Sequence, residues 1–193
     1  MKRSLKRITL AVEPAEGESG ILLYGCREGA IQNIIIDNVR LRIGPGFESD
    51  RAGGNFDLRP SEEMQTAVFK HGISGIFARF VDRFRIRNME LEWQGLPPEY
   101  FTHGIECEAV EGLEINDFHG RQASVLRSDA AIRIDGCADV TVQNCTATDG
   151  TAVFLSHSNS AGECTFVNNA VHKARKAIEP DSSVFFTHGN RMR

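Results

Sequence analysis

Along this chain, two apolar residues one position apart are followed by one further residue, polar in all but the last copy, and then by asparagine or aspartate, and the phrase recurs. It reads Ile34-Ile35-Ile36-Asp37-Asn38, Phe84-Arg85-Ile86-Arg87-Asn88, Leu113-Glu114-Ile115-Asn116-Asp117, Val140-Thr141-Val142-Gln143-Asn144 and Cys164-Thr165-Phe166-Val167-Asn168. A period of two puts alternate side chains on opposite faces, the pattern of a strand with one buried face. The closing amide keeps step with the alternation, so the repeated unit is a strand with its following turn.

Spacing selects the architecture. Measured from the first apolar residue, successive phrases lie 50, 29, 27 and 24 residues apart, with weaker copies 26 before the first, at Ile8-Thr9-Leu10, and 20 after the last, at Val184-Phe185-Phe186. Helical repeats run to about 33 residues or more with an apolar period of about 3.6, and leucine-rich repeats want several leucines in a fixed pattern. Here the rungs are mostly Ile, Val, Phe and Cys. The expected fold is all-β, a right-handed parallel β-helix of about six to seven coils.

A second alternating segment precedes each phrase: Ile21 and Leu23, Ile76 and Ala78, Ile105 and Cys107, Ile132 and Ile134, Val153 and Leu155, with Ile178 opening a sixth. Stacking two strand columns at a spacing of about 4.8 Å predicts two aliphatic ladders. One is Ile21, Ile76, Ile105, Ile132, Val153 and Ile178, and the other is Ile8, Ile34, Phe84, Leu113, Val140, Cys164 and Val184. Asn38, Asn88, Asp117, Asn144 and Asn168 fall at the bends, either as plain turn formers or as a ladder of stacked side chains.

Bulk properties narrow the picture. With 193 residues and 41% hydrophobic content, the repeats fill one domain spanning residues 1–193, and its net charge of -4 argues against a nucleic-acid partner. The basic start Met1 to Arg7 resembles a signal-peptide n-region, but the apolar run Ile8 to Val12 is short and ends in Glu13-Pro14. Neither a signal peptide nor a membrane span is expected, which makes the cytoplasm the default location. Cys107, Cys137, Cys145 and Cys164 fall on or near inward columns, where free cysteine acts as a small hydrophobe, and Cys26 is less certain. No CxxC or His/Cys spacing suggests zinc, and nothing calls for a cofactor.

The longest step contains a Gly-, Pro- and acid-rich insertion over residues 44–70, with Phe47 and Phe56 as anchors and Asp57 and Arg59 as polar groups that pair with each other or meet a ligand. Long loops on rigid scaffolds often carry binding residues, and covering the wall is the alternative. The last residues, 187–193, read as a polar tail. Alternation also places outward residues. Arg79, Glu108 and Asp135 are expected in one exposed column, and Phe77, Glu106, Arg133 and Phe154 in another. Such a stripe suits sugar, with phenyl rings under the pyranose and charges on its hydroxyls. A cross-strand Glu106–Arg133 ion pair on an ordinary solvated face is the other reading.

Three stretches carry a family resemblance: Gly53 to Pro60 (GGNFDLRP), His71 to Trp93 (HGISGIFARFVDRFRIRNMELEW) and Pro98 to Glu106 (PEYFTHGIE). From about Gly20 to Gly150 the chain resembles the C-terminal part of bacterial β-helix proteins related to the polygalacturonase family of glycoside hydrolases. The resemblance implies a pectin-lyase-like β-helix and a polysaccharide or oligosaccharide partner. That family carries N-T-D, D-D, G-H-G and R-I-K motifs on successive coils. This chain has no adjacent Asp pair and offers only Thr102-His103-Gly104, Thr148-Asp149-Gly150 and Arg40-Leu41-Arg42-Ile43. In the family, catalytic groups occupy the edge preceding the first strand of a coil, where this chain has His71, His103, Asp129, Asp149 and Arg175-Lys176.

One or two rungs of about 4.8 Å span the separation two glycosidase carboxylates need. Asp129 and Asp149 are therefore the candidate acid and base, with His103 tuning one and Arg175 taking a uronate carboxylate. His103 and Glu106, three apart, form a second candidate pair for proton transfer or sugar hydroxyls. Three functions follow: a polysaccharide-binding or groove-completing module, an active hydrolase on acidic polysaccharide, or a structural solenoid that self-associates through an open end. The ladder starting at Ile8 as if in mid-stack predicts further coils upstream in full-length relatives.

Overall fold

The computed structural model describes residues 20–27, 30–44, 72–97, 101–180 and 183–192. Among these the chain is all-β, without a helix. The strands are β1 (Ile21–Tyr24), β2 (Ile31–Ile43), β3 (Ile76–Arg79), β4 (Val81–Trp93), β5 (Ile105–Glu108), β6 (Glu111–Gly120), β7 (Ala130–Asp135), β8 (Ala138–Gln143), β9 (Thr146–Ala147), β10 (Val153–Ser158), β11 (Cys164–Val167), β12 (Lys176–Glu179) and β13 (Phe185–His188). A six-stranded sheet runs β1-β3-β5-β7-β10-β12 and a seven-stranded sheet includes β13-β11-β8-β6-β4-β2, with β9 also on β6. All these pairings are parallel. The chain thus alternates between two parallel sheets, an arrangement compatible with a parallel β-helix. Buried residues of both form one hydrophobic cluster.

The register reproduces most of the expected ladders. Ile21 pairs Ile76, Ile76 pairs Ile105, and Ile105 pairs Ile132. In the second sheet Ile34, Phe84, Leu113 and Val140 follow one another in the same way. Two rungs differ. Leu155, rather than Val153, pairs both Ile132 and Ile178, while Val153 pairs Ala130 and Lys176. Ala152 to Leu155 is a continuous apolar run, which offers no alternation to set the phase. Packing sets it instead: Phe154 is fully buried and its ring lies 6.2 Å from that of Phe166. Likewise Phe185, and not Val184, pairs Cys164, and it is buried while Val184 is 40% exposed. Ile8 lies outside the described residues.

The amide column has a backbone cause. Asn38, Asn88, Asp117, Asn144 and Asn168 have φ values of 57°, 48°, 59°, 56° and 57°. Asparagine and aspartate adopt this left-handed conformation most readily among residues with a side chain, so each bends the strand at a fixed point. Direct bonding between column members is sparse: Asn88 donates to Asn38 at 3.2 Å, whereas Asn144 donates to Asn116 at 3.0 Å. The well-bonded amides sit one residue further on. Asn169 is fully buried, accepts from the Cys145 N–H at 2.9 Å, and donates to the Val142 carbonyl at 3.1 Å and to Asn190 Oδ1 at 3.1 Å. Asn190 in turn donates to the Phe166 carbonyl at 2.8 Å. The expected polar tail is therefore partly structured: β13 includes Thr187 and His188, and Arg191 bridges to Ala170.

Past the amide bend, β2 and β4 continue with renewed alternation. Val39, Leu41 and Ile43 are buried under one face, as are Met89, Leu91 and Trp93. The intervening Arg40, Arg42, Glu90 and Glu92 point the other way, and this lengthened face positions the candidate site.

Candidate functional site

Of the two columns expected to face solvent, the one with Phe77, Glu106, Arg133 and Phe154 is largely closed. Phe77, Glu106 and Phe154 are 5%, 1% and 0% exposed, so neither phenyl ring is a sugar platform and the Glu106–Arg133 pair is not on an open face. Phe154 left that column when β10 took its register. Phe77 and Glu106 do hold the predicted positions, Phe77 opposite Glu106 and Glu106 opposite Arg133. Ser74 donates to Glu106 Oε2 at 2.5 Å, and Arg133 Nη1 donates to Oε1. Both carboxylate oxygens are thereby occupied, as a buried charge requires.

His103 sits at the rim of this cluster. Its Nδ1 accepts the Ala130 N–H at 2.9 Å, which leaves the neutral ring's hydrogen on Nε2. Burial holds its pKa below the ordinary histidine value, against the opposing pull of Glu106 and Asp129. A histidine depressed in the folded state takes up its proton first in the unfolded chain, so its stabilising share is complete above the unfolded value of about 6.5 and declines as pH falls below it. The stability of the wild-type protein is therefore expected to fall more steeply from pH 7 to pH 5 than that of His103→Asn, measured by urea midpoints at each pH. Equal slopes would remove His103 from the account.

Asp129 and Asp149 stand in different surroundings. Asp129 Oδ2 forms an ion pair with Arg127 Nε at 2.8 Å, and Arg127 Nη2 donates to the Phe101 carbonyl. The side chain of Asp149 is 87% exposed at a turn, 3.1 Å from Lys173 Nζ. Arg175 is exposed and donates to the Arg127 carbonyl at 3.2 Å. Arg79, Glu108 and Asp135 do stand in one column as expected, with Arg79 Nε 3.4 Å from Glu108. Asp135 accepts from Asn159 and Ser158, each at 2.8 Å, and these bonds hold its carboxyl below the usual carboxylate range. Asp57 and Arg59 lie outside the described residues, as do Phe47 and Phe56.

An open groove lies elsewhere, over the outer face of the extended β2, β4 and β6. Two hollows of about 430 and 440 Å³ share Glu90 and His119 and so form one trough. Its first half is lined by Asn38, Arg40, Asn88 and Asp117 among others, and its second by Glu92, Trp93, Arg121, Thr148 and Asp149 among others. Across the strands Arg40 pairs Glu90, Glu90 pairs His119, and His119 pairs Thr146. Arg40 bridges Glu90 at 3.0 Å and Glu92 at 2.6 Å, and Arg42 meets Glu92 at 2.9 Å. The hydrogen bond from Arg40 holds the Glu92 carboxyl below its usual range. His119 Nε2 is 2.8 Å from Asp117 Oδ1. Arg121 gives Nη1 to the carbonyls of Gln122 and Ala123, both at 2.8 Å, and its own carbonyl accepts from Trp93 Nε1 at 3.0 Å.

Sequence reasoning singled out Arg40-Leu41-Arg42-Ile43 and Thr148-Asp149-Gly150 as motif fragments, and Arg40, Thr148 and Asp149 line the same trough. It passed over Glu90, Glu92, His119 and Arg121. The available signal was the alternation after each amide, Val39-Arg40-Leu41-Arg42-Ile43 and Met89-Glu90-Leu91-Glu92-Trp93, a third strand direction per repeat. Among the described residues no cluster of three His, Cys, Asp or Glu is placed to hold a metal ion, and none of the cysteines forms a disulfide: Cys107, Cys137, Cys145 and Cys164 are buried and Cys26 is exposed. Burial pushes the Cys137 thiol up to about 11 and that of Cys145 to about 12. Compared with family models, curated proteins and solved structures, the chain matches none of them.

Proposed function

We propose that this chain is a right-handed parallel β-helix of the pectin-lyase-like kind that binds a saccharide chain in the trough over β2, β4 and β6 without cleaving it. The observation that carries this reading is the trough itself: two adjoining hollows of about 430 and 440 Å³, running across successive strands and lined with hydrogen-bonding side chains. Polymeric sugars suit such a site because each rung, about 4.8 Å from the next, offers a new set of polar contacts. Alternation of the chain between two parallel sheets favours the β-helix, and the sequence resemblance to polygalacturonase-related proteins favours a glycan.

Binding without turnover is favoured by the state of the carboxylates. A glycosidase acid needs an environment that raises its pKa, with a second carboxylate at a set distance. In the trough Glu90 and Glu92 are neutralised by arginine and Asp149 is almost fully exposed. Asp129 is held beside Arg127, outside the trough. Titration calorimetry against oligosaccharides, run alongside reducing-end assays on the parent polymers, tests the reading. Saturable binding with no release of reducing ends is the expected result. Release of reducing ends that Asp149→Asn abolishes would make the protein a hydrolase instead.

A further inference from the structure

We infer that the trough selects a neutral glycan and rejects polyuronates, an inference that rests on the saccharide-binding reading above. Its lining contains two arginines, Arg40 and Arg121, against four carboxylates, those of Glu90, Glu92, Asp117 and Asp149. Both arginines are engaged: Arg40 lies between Glu90 and Glu92, at 3.0 and 2.6 Å, and Arg121 caps two main-chain carbonyls at 2.8 Å each. The nearby cations Arg42 and Lys173 are paired as well, with Glu92 at 2.9 Å and Asp149 at 3.1 Å. A uronate carboxylate entering here would meet four carboxylates and no guanidinium without a partner, a juxtaposition that disfavours binding.

Paired ions are by contrast well suited to hydroxyls. A carboxylate held by arginine keeps lone pairs that accept from sugar O–H groups, and the guanidinium keeps N–H groups that donate, so charge-assisted bonds form with no net charge on the ligand. Affinity for such a ligand depends little on ionic strength, since no ion pair forms on binding.

The test is a calorimetric comparison of wild-type protein and Glu92→Gln against a panel of neutral gluco-, manno- and xylo-oligosaccharides, an oligogalacturonide and an oligolysine peptide, at low and at moderate salt. Glu92→Gln alters a half-buried side chain at nearly constant size, and its folding is checked by circular dichroism. Wild type is expected to bind at least one neutral glycan tenfold or more tightly than the oligogalacturonide, with less than a twofold change on adding salt. Glu92→Gln, which takes the shared carboxylate from Arg40 and Arg42, is expected to narrow that preference severalfold. Tighter binding of the oligogalacturonide by wild type would overturn the neutral preference and leave saccharide binding standing. Preferential, salt-sensitive binding of oligolysine, or no binding to any glycan, would overturn both.

Discussion

Phe118→Ala is expected to lower the free energy of unfolding by about 3–5 kcal/mol, the cost of truncating a fully buried phenylalanine whose surroundings collapse only in part. Phe118 is 0% exposed and lies one residue past the Asp117 bend, opposite Met89 on the neighbouring strand. Gly120 makes room for its ring: a Cβ there would stand 2.6 Å from Phe118 Cζ. Relaxation is restricted, because parallel strands on both sides of β6 fix the backbone on which any refilling side chain would have to move. Urea unfolding followed by circular dichroism measures the change as a shift of midpoint at constant slope. Phe118→Leu, which keeps most of the volume, should lose clearly less. A loss under about 1 kcal/mol for the alanine variant would place Phe118 outside a well-packed core.

The second large effect concerns the closed polar cluster. Arg133→Met leaves Glu106, 1% exposed, with Ser74 as its remaining side-chain hydrogen-bond partner. Removing one member of a buried pair strands the other charge, at about 3–5 kcal/mol, and the lower end applies because the Arg133 side chain is 32% exposed. The double variant Glu106→Gln/Arg133→Met removes both charges and should recover most of that loss, since a neutral amide is far cheaper to bury. Additive losses in the double variant would show that the two residues do not act as a pair. A purely structural role for this cluster also predicts that none of these variants alters glycan binding.

Much of this organisation was readable from the order of residues. Phe84, Leu113 and Val140 kept their register because each is followed by a polar residue and a second apolar one, so the phase of the strand is unambiguous, and Ile34 keeps step with Phe84 through the long pairing of β2 with β4. It failed where alternation failed, at Val153-Phe154-Leu155 and Val184-Phe185-Phe186, where three adjacent apolar residues fit either phase and only the packing of Phe154 and Phe185 decides. The amides were legible as bends because a short polar side chain tolerates positive φ, but the bonded pair Asn169 and Asn190 was not, since nothing local distinguishes a buried amide from an exposed one.

The site was the least legible part. Outward direction is set by alternation, yet exposure depends on what else covers the face, which is why Glu106 and Phe77 held their predicted columns and were nevertheless buried. Asp129 and Asp149 looked equivalent because each precedes a strand. The two-residue shift of β10 separates them, and Asp149 ends beside Thr148 on the trough. Arg40, Glu90 and His119 come together only through cross-strand register over residues far apart in sequence.

The central claim is that ligand meets the trough and not the closed cluster around Glu106. It is tested most directly by titrating the isotope-labelled protein with a glycan it binds and following backbone amide shifts. Shifts concentrated at Arg40 to Arg42, Glu90 to Trp93, His119 to Arg121 and Thr148 to Asp149 are the predicted result. Shifts centred on Ser74, His103, Glu106 and Arg133, with the trough unmoved, would contradict it.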